Sequence, residues 1–425
     1  MTQIGIAQVD ITPVESVWMV GYGNRDHRSE GVYQALRAGA VAIKSDSEEA
    51  VLIAADLIGY GLAYAAEAKA HIADATGLLP RQIILTATHT HCAPFFYPWI
   101  MPGEIEPAYA AFLHDKLLEV VVRARANQVA GCVSFARTTS DFGVNRRLPD
   151  DKGGVLFAPN PDGAMDRDLD TLFFADQRGQ PLGSLSIFGC HPTSLGGDLI
   201  GGDYPGYFCR AIEEETGVPA LFSTGCAGNI RPWYGREPGL FPRPSFAQLE
   251  AAGRDLAASA LNSRNDAVPV DVGYLQVADT FHQLPYSDLP TLDFLHQARQ
   301  DADPRQSDWA AAMLAIAQYG SLATSCPQEI QILQFSPDLR VVFLGGEVLS
   351  EIGQHLKRAL QPGVTSTVAY ANGLIAYVPG KETYPLGGYE VDGSHRYFLR
   401  PAPFKDTVEE LIVAQTTALT AHLNG

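Results

Sequence analysis

The chain has 425 residues, 46% of them hydrophobic, 18% charged and 9% aromatic, the make-up of a globular protein with a sizeable core. Its 48 acidic against 30 basic residues give a formal net charge of −18, which opposes nonspecific binding to nucleic acid or to an anionic membrane surface. No apolar run reaches the ~18 residues of a membrane span, and the six scattered cysteines, with no Cys-x-x-Cys pair, imply neither a disulfide framework nor a thiolate zinc site.

The N-terminal residues lack a basic n-region and a long apolar segment, so 3–11 reads as a first strand and a cytoplasmic location is expected. Short, often β-branched runs at 40–44, 50–56, 83–88, 170–175, 183–189 and 219–223 predict further strands. Helical patterns lie between several of them, at 61–77, 105–127 and 204–216. A helix follows near 245–262, then strands at 269–277, 328–335 and 339–344, and helices near 347–360 and 404–422. This alternation predicts an α/β layered domain of two packed mixed sheets flanked by helices, with 1–425 as a single domain. The Pro- and Gly-rich stretches 149–165 and 233–245 read as long loops walling a site. The helices 61–77 and 404–422 leave a homo-oligomer open, although apolar stripes of this kind usually face the core.

The most informative segment is Ile83-Ile-Leu-Thr-Ala-Thr-His89-Thr-His91-Cys-Ala-Pro94. Alternation along a strand puts His89 and His91 on one side at its carboxyl end, where α/β sheets place their chemistry. Imidazole is a common metal ligand, and a hydrogen-bonded structural pair is the competing reading. Leu185-Ser-Ile-Phe-Gly-Cys-His191 delivers another histidine at a strand end, and Val341-Val-Phe-Leu-Gly-Gly-Glu347 a carboxylate that opens a helix. That glutamate equally suits a helix dipole. Val368-Ala-Tyr-Ala-Asn-Gly-Leu-Ile-Ala-Tyr377 ends in a tyrosine, and Ala220-Leu-Phe-Ser-Thr-Gly225-Cys226 runs into a Gly-rich bend. Two histidines, a carboxylate and a phenolate suit Zn²⁺ with a position left for water. Spacing between such distant segments does not by itself establish contact.

The ordered blocks resemble the neutral/alkaline non-lysosomal ceramidases and their bacterial relatives. These blocks are Val9-Asp-Ile-Thr-Pro, Met19-Val-Gly-Tyr, Ala54-Ala-Asp-Leu, Thr86-Ala-Thr-His-Thr-His, Val144-Asn-Arg-Arg, His191-Pro-Thr-Ser, Gly201-Gly-Asp-Tyr-Pro-Gly-Tyr, Gly346-Glu, Asn372 to Tyr384, and Gly388-Tyr-Glu. The resemblance spans that family's N-terminal catalytic domain, without room for a C-terminal immunoglobulin-like domain. It implies one zinc ion per chain held by His89, His191, Glu347 and Tyr377. His91 is then a second histidine facing the substrate, and Arg146 lines the same pocket. Asp203, Arg231 and Tyr389 are expected near the substrate, with a helix cap as the alternative for Asp203.

One departure stands out. The family carries a catalytic serine in Ser-Asn-x-Gly-Asp-x-Ser-Pro, whereas this chain has Gly225-Cys-Ala-Gly-Asn-Ile-Arg-Pro, with Gly225 at the serine's place. Cys226 reads as a small packing residue. The expectation is a zinc hydrolase that cleaves an amide bond of a soluble, polar small molecule by a metal-activated water. Arg146, Arg147, Arg231 and Arg236 would suit an anionic substrate, with a solvated surface role as the alternative for each; Phe95, Phe96, Tyr97, Trp99, Trp233, Tyr234 and Phe241 would suit an acyl chain, or anchor loops. Hydrolysis of an ester, phosphoester or glycosidic bond, and a nonenzymatic binding protein, are the competing classes.

Overall fold

The computed structural model describes residues 2–424. The N-terminal strand β1 (Gln3–Asp10) pairs antiparallel with β2 (Arg37–Lys44), which pairs with β3 (Glu49–Ala55). β3 is buried along its whole length, as its apolar run requires, and takes β4 (Ile83–Ala87) as a parallel neighbour. On the other side, β1 meets β5 (Val129–Thr139) through only two residue pairs, Gln3–Ala130 and Ile4–Val129. The sheet then continues antiparallel through β6 (Asp168–Asp176) and β7 (Pro181–Phe188), and ends in a parallel strand, β8 (Ala220–Thr224). A short strand, β9 (Val268–Val270), also pairs with β5.

That narrow joint lets the two halves fold face to face. Gln8 on β1 reaches the Ala220 carbonyl at 2.8 Å, and Thr86 Oγ1 meets Ser223 Oγ at 2.8 Å across opposite ends of the sheet. A second sheet, β10 (Gln276–Pro285), β11 (Ser325–Ser336), β12 (Leu339–Leu344) and β13 (Val364–Val368), is antiparallel until its last pair, which is parallel. Ile4, Ile43, Leu52, Phe174, Leu185 and Leu221 of the first sheet share one buried cluster with Leu333, Val341 and Phe343 of the second. Within these two sheets β3–β4, β7–β8 and β12–β13 pair parallel, and their carboxyl ends lie together. Thr224 Oγ1 donates to Thr88 O at 2.6 Å, Ala369 N to Thr224 O at 3.1 Å, and Asn372 N to Leu85 O at 2.8 Å.

Helices α1 (Leu62–Thr76), α2 (Pro107–Ala126), α3 (Asp203–Thr216) and α4 (Phe246–Ser263) accompany the large sheet. α2 seats directly on β1, where a Cβ on Gly5 would fall 2.0 Å from Ala124 O. α4 starts with a reciprocal cap between Ser245 and Gln248. α5 (Leu292–Ala298) and α6 (Pro304–Tyr319) form a satellite pair around Trp309, while α7 (Ser350–Ala359) and α8 (Val408–Asn424) pack on one another. Among the described residues no helix is long and apolar enough to cross a membrane.

Several expectations need correction. The stretch 149–165 is not one loop: Gly143–Pro149 pairs with Val155–Asn160 as a hairpin. The strand expected at 269–277 is two strands separated by a 3₁₀ turn at Val272–Tyr274. Glu347 does not open a helix; Glu347–Val348 forms a parallel ladder with Tyr377–Val378, and α7 begins at Ser350.

One buried ion pair clamps α1 to β11: Lys69 Nζ lies 2.6 Å from Glu329 Oε1, with side-chain exposures of 7% and 9%. Glu329→Ala should cost about 3 kcal/mol by stranding the ammonium, whereas Lys69→Met combined with Glu329→Leu should be near neutral. Urea unfolding of both variants checks this, and equal losses would remove the pairing argument.

Candidate metal centre

Each converging strand end supplies one part of the site. β4 ends at Ala87, and His89 then takes a left-handed backbone conformation, φ 66°. Strand alternation therefore does not apply there, yet His89 and His91 do converge, their Nε2 atoms 3.3 Å apart. His191 follows β7 and brings its Nε2 to 3.0 Å from that of His89. Glu347 follows β12, and its Oε2 lies 3.3 Å from Nε2 of both His89 and His191. The three imidazoles and this carboxylate are buried or nearly so.

Backbone carbonyls fix the tautomers. His89 Nδ1 is 2.5 Å from Ile58 O, His191 Nδ1 is 2.8 Å from Ala227 O, and His91 Nδ1 is 3.0 Å from Gly21 O. A carbonyl can only accept, so each Nδ1 carries the proton and each Nε2 presents a lone pair. Burial, reinforced by the neighbouring His89, pushes the His191 pKa down to about 4 and that of His91 well below the usual imidazole value. The three Nε2 lone pairs thus meet, with Glu347 Oε2 beside those of His89 and His191, without a donor among them, and Glu347 Oε2 has no hydrogen-bond partner among the described residues. Such a donor set fits a divalent cation, with the carbonyls as the outer contacts that orient the ligands.

The surroundings explain how the chain tolerates this. Gly21, φ 106°, lies under His91; a Cβ there would sit 2.6 Å from His91 Nδ1. Arg25 donates to Val20 O, His91 O and Gly197 O, tying the His91 loop to the loop after His191. Asp203, at the start of α3, accepts from Ser194 N, Ser194 Oγ and Tyr204 N at 3.0, 2.5 and 2.7 Å. Those are the contacts of a residue that positions the His191 loop.

Tyr377 stacks parallel to His191 with ring centroids 6.5 Å apart, and its hydroxyl accepts from Arg146 Nη2 at 3.1 Å. Burial, then the charge of Glu347, raises the Tyr377 pKa well above its ordinary value. Arg146 and Arg147 both donate to Glu390, at 2.8 and 2.5 Å. Tyr389 packs 5.3 Å from Tyr377 with its outer edge exposed. The sequence reading missed Tyr370, whose ring stacks 4.0 Å from His89, and Glu390, which the Gly388-Tyr-Glu block contained. Phe95, Phe96 and Tyr97 are core anchors, not a substrate wall, whereas Phe241 lies 5.6 Å from Phe157 beside Arg231.

The sequence profile for "Neutral/alkaline non-lysosomal ceramidase, N-terminal" matches residues 2–225. The chain belongs to this family. The neutral ceramidase of Pseudomonas aeruginosa is 24% identical over 341 residues, which cover 74% of this chain and 49% of that protein. The neutral ceramidase of Mycobacterium tuberculosis is 28% identical over 239 residues, 51% of this chain and 36% of that one. The chain thus spans about half the length, or less, of these ceramidase relatives. The crystal structure of the Pseudomonas aeruginosa neutral ceramidase superposes with a TM-score of 0.75 at 21% identity, covering 99% of this chain and 75% of that one. A ceramidase complexed with C2 gives 0.78 at 19% identity, covering 100% of this chain and 75% of that one.

Position 225, where the ceramidase resemblance places a serine, is enclosed by backbone. A Cβ on Gly225 would lie 3.1 Å from Gly189 Cα and N and 3.3 Å from Thr367 O. Nearby, burial pushes the Cys226 thiol up to about 12, and Gly353 packs against it. Gly225→Ser should therefore lose about 1–3 kcal/mol by overpacking and gain no turnover, while Cys226→Ala should keep most activity. Thermal melts and initial rates of the two variants check this; a faster Gly225→Ser protein would contradict it.

Proposed function

We infer that this chain is a zinc-dependent hydrolase that cleaves an amide bond in a polar small molecule. The observation that carries this reading is the donor-free meeting of three Nε2 lone pairs and Glu347 Oε2 inside a neutral ceramidase-family fold. His89, His191 and Glu347 would hold the ion, with Tyr377 completing the set. When bound, zinc supplies Lewis acidity, polarising a carbonyl and lowering the pKa of a ligated water to about 7.

The protein's own groups have separate tasks. His91, neutral and held by its Nδ1–H on Gly21 O, keeps Nε2 free to take a proton from water and return it to the departing amine. Arg146 steadies the Tyr377 oxygen through Nη2 and brings positive charge to the side where negative charge develops on the substrate. Burial of the site strengthens both effects. No serine is needed, in keeping with Gly225.

Family membership also favours ceramide itself as substrate, as the relatives' names indicate. One experiment separates the outcomes. Protein stripped by chelation should regain hydrolysis of N-acyl amides on addition of one zinc per chain, with a rise in melting temperature. Ceramide as the preferred substrate would replace the polar-substrate reading. Undiminished turnover after complete stripping would refute zinc dependence.

A further inference from the structure

We propose that Arg231 and Arg243 form an anion subsite beside the metal centre, so that the substrate is an amide bearing an anionic oxyacid group, carboxylate or phosphate. This rests on the hydrolase reading for the word substrate, but the anion site has its own evidence.

Other arginines near the metal centre are paired with carboxylates: Arg25 lies 3.5 Å from Asp198, and Arg146 and Arg147 share Glu390. Arg231 and Arg243 are different. Neither forms an ion pair among the described residues. Arg231 commits one donor, Nη2, to Thr193 O at 3.2 Å. Among the described residues Arg243 donates to no protein group, and its guanidinium lies over Gly196, where a Cβ would fall 1.2 Å from Nη1.

Both therefore flank the same short loop, directly after His191. The Arg231 segment is joined to that histidine through its backbone, since His191 N donates to Ile230 O at 3.1 Å. On the Arg243 side, Tyr22 bridges the gap: its ring centroid is 5.0 Å from that of His91 and 5.8 Å from the Arg243 guanidinium carbon. The flat face of Phe157 lies 5.5 Å from Arg146 and 5.4 Å from Arg231, and Phe241 is 5.3 Å from Arg231. Aromatic faces hold the guanidinium planes without consuming their N–H groups. Burial lowers the Arg231 pKa, and repulsion from Arg146 and Arg243 adds to this against the opposing pull of Tyr22 and Asp203. Unused forked donors, held in place beside a hydrolytic centre, are the arrangement that recognises a carboxylate or phosphate.

The test uses zinc-loaded protein and a matched pair, N-benzoylglycine and N-benzoylglycinamide, read by calorimetric binding and by kcat/KM. The carboxylate member should bind on the order of 10–100-fold more tightly, the worth of charge-assisted contacts. That ratio should collapse to a few-fold in R231Q/R243Q, and fall part-way in R243Q alone, whose exposed side chain leaves folding undisturbed. Displacement of N-benzoylglycine by inorganic phosphate would extend the site to phosphate esters; no displacement would restrict it to carboxylates. Indistinguishable binding of the pair, including no binding of either, overturns the proposal, as does a preference that survives both substitutions. Arginine-dependent binding without turnover of either compound would uphold the anion site and refute the hydrolase reading. Turnover of both without preference would do the reverse.

Discussion

His191→Ala should lose its zinc and lose turnover together, by more than the roughly 10–100-fold that removal of an outer metal contact costs. The reason is geometric. His191 Nε2 lies 3.0 Å from His89 Nε2 and 3.3 Å from Glu347 Oε2, so its removal takes away one of only two imidazole ligands and leaves His89, Glu347 and Tyr377 around an enlarged gap. It also leaves the Ala227 carbonyl without the Nδ1–H that it accepts, so the loop carrying Arg231 should loosen. Elemental analysis and initial rates on the same preparation check this, with circular dichroism to confirm folding. A folded variant with full turnover and no metal would end the zinc reading. A variant that keeps its metal would remove His191 from the ligand set. His91→Ala should behave differently. If His91 moves protons, as proposed above, the variant should retain zinc and lose rate.

Sequence patterning carried the strands and helices because most are locally self-sufficient. Val341–Leu344 is a continuous apolar run, and α1 and α3 each end on a glycine in the left-handed conformation, Gly77 and Gly217. The strand Val129–Thr139 escaped notice because Gly131, Cys132 and Arg137 break its alternation, and its stability comes from β6 and β9 on either side. α6 was overlooked for a different reason: Trp309 to Ala317 is apolar all round, so no stripe marks the face that buries Trp309, Ala310, Met313 and Leu314 against α5. Likewise Glu347 looked like a helix start, since nothing local reveals that Gly346, φ 103°, turns it onto a ladder with Tyr377. His89, His191 and Glu347 were visible as residue types at strand ends. Their meeting was not, because it depends on a two-residue joint between β1 and β5 that lets the sheet fold on itself. The glutamate between two arginines was invisible for the same reason: Glu390 is 243 residues from Arg147.

That glutamate carries the second large effect. Glu390 is the only carboxylate paired with Arg146 and Arg147 among the described residues, and the three side chains are 3%, 5% and 5% exposed. Glu390→Ala would strand two buried guanidinium groups, and breaking a buried pair in this way costs about 3–5 kcal/mol. Glu390→Gln keeps the shape and some hydrogen bonds but not the charge, so its loss should be smaller. Burial would raise the Glu390 pKa, yet Arg146 and Arg147 hold it below the ordinary value. A depressed carboxylate stabilises fully above its unfolded pKa of about 4.3 and loses that contribution as the pH falls through the folded value. The stability gap between the parent and Glu390→Gln should therefore be complete at pH 6 to 8 and close on acidification below about pH 4. Denaturant unfolding at a series of pH values reads this directly; a gap independent of pH would mean that shape, not charge, accounts for it. The functional consequence follows from the same contacts. Arg146 Nε is held by Glu390 while Nη2 is spent on the Tyr377 hydroxyl, so a freed Arg146 no longer fixes that oxygen. Glu390→Gln should thus lower kcat while leaving the histidines and their metal in place. An unchanged kcat would show that Arg146 finds Tyr377 without it.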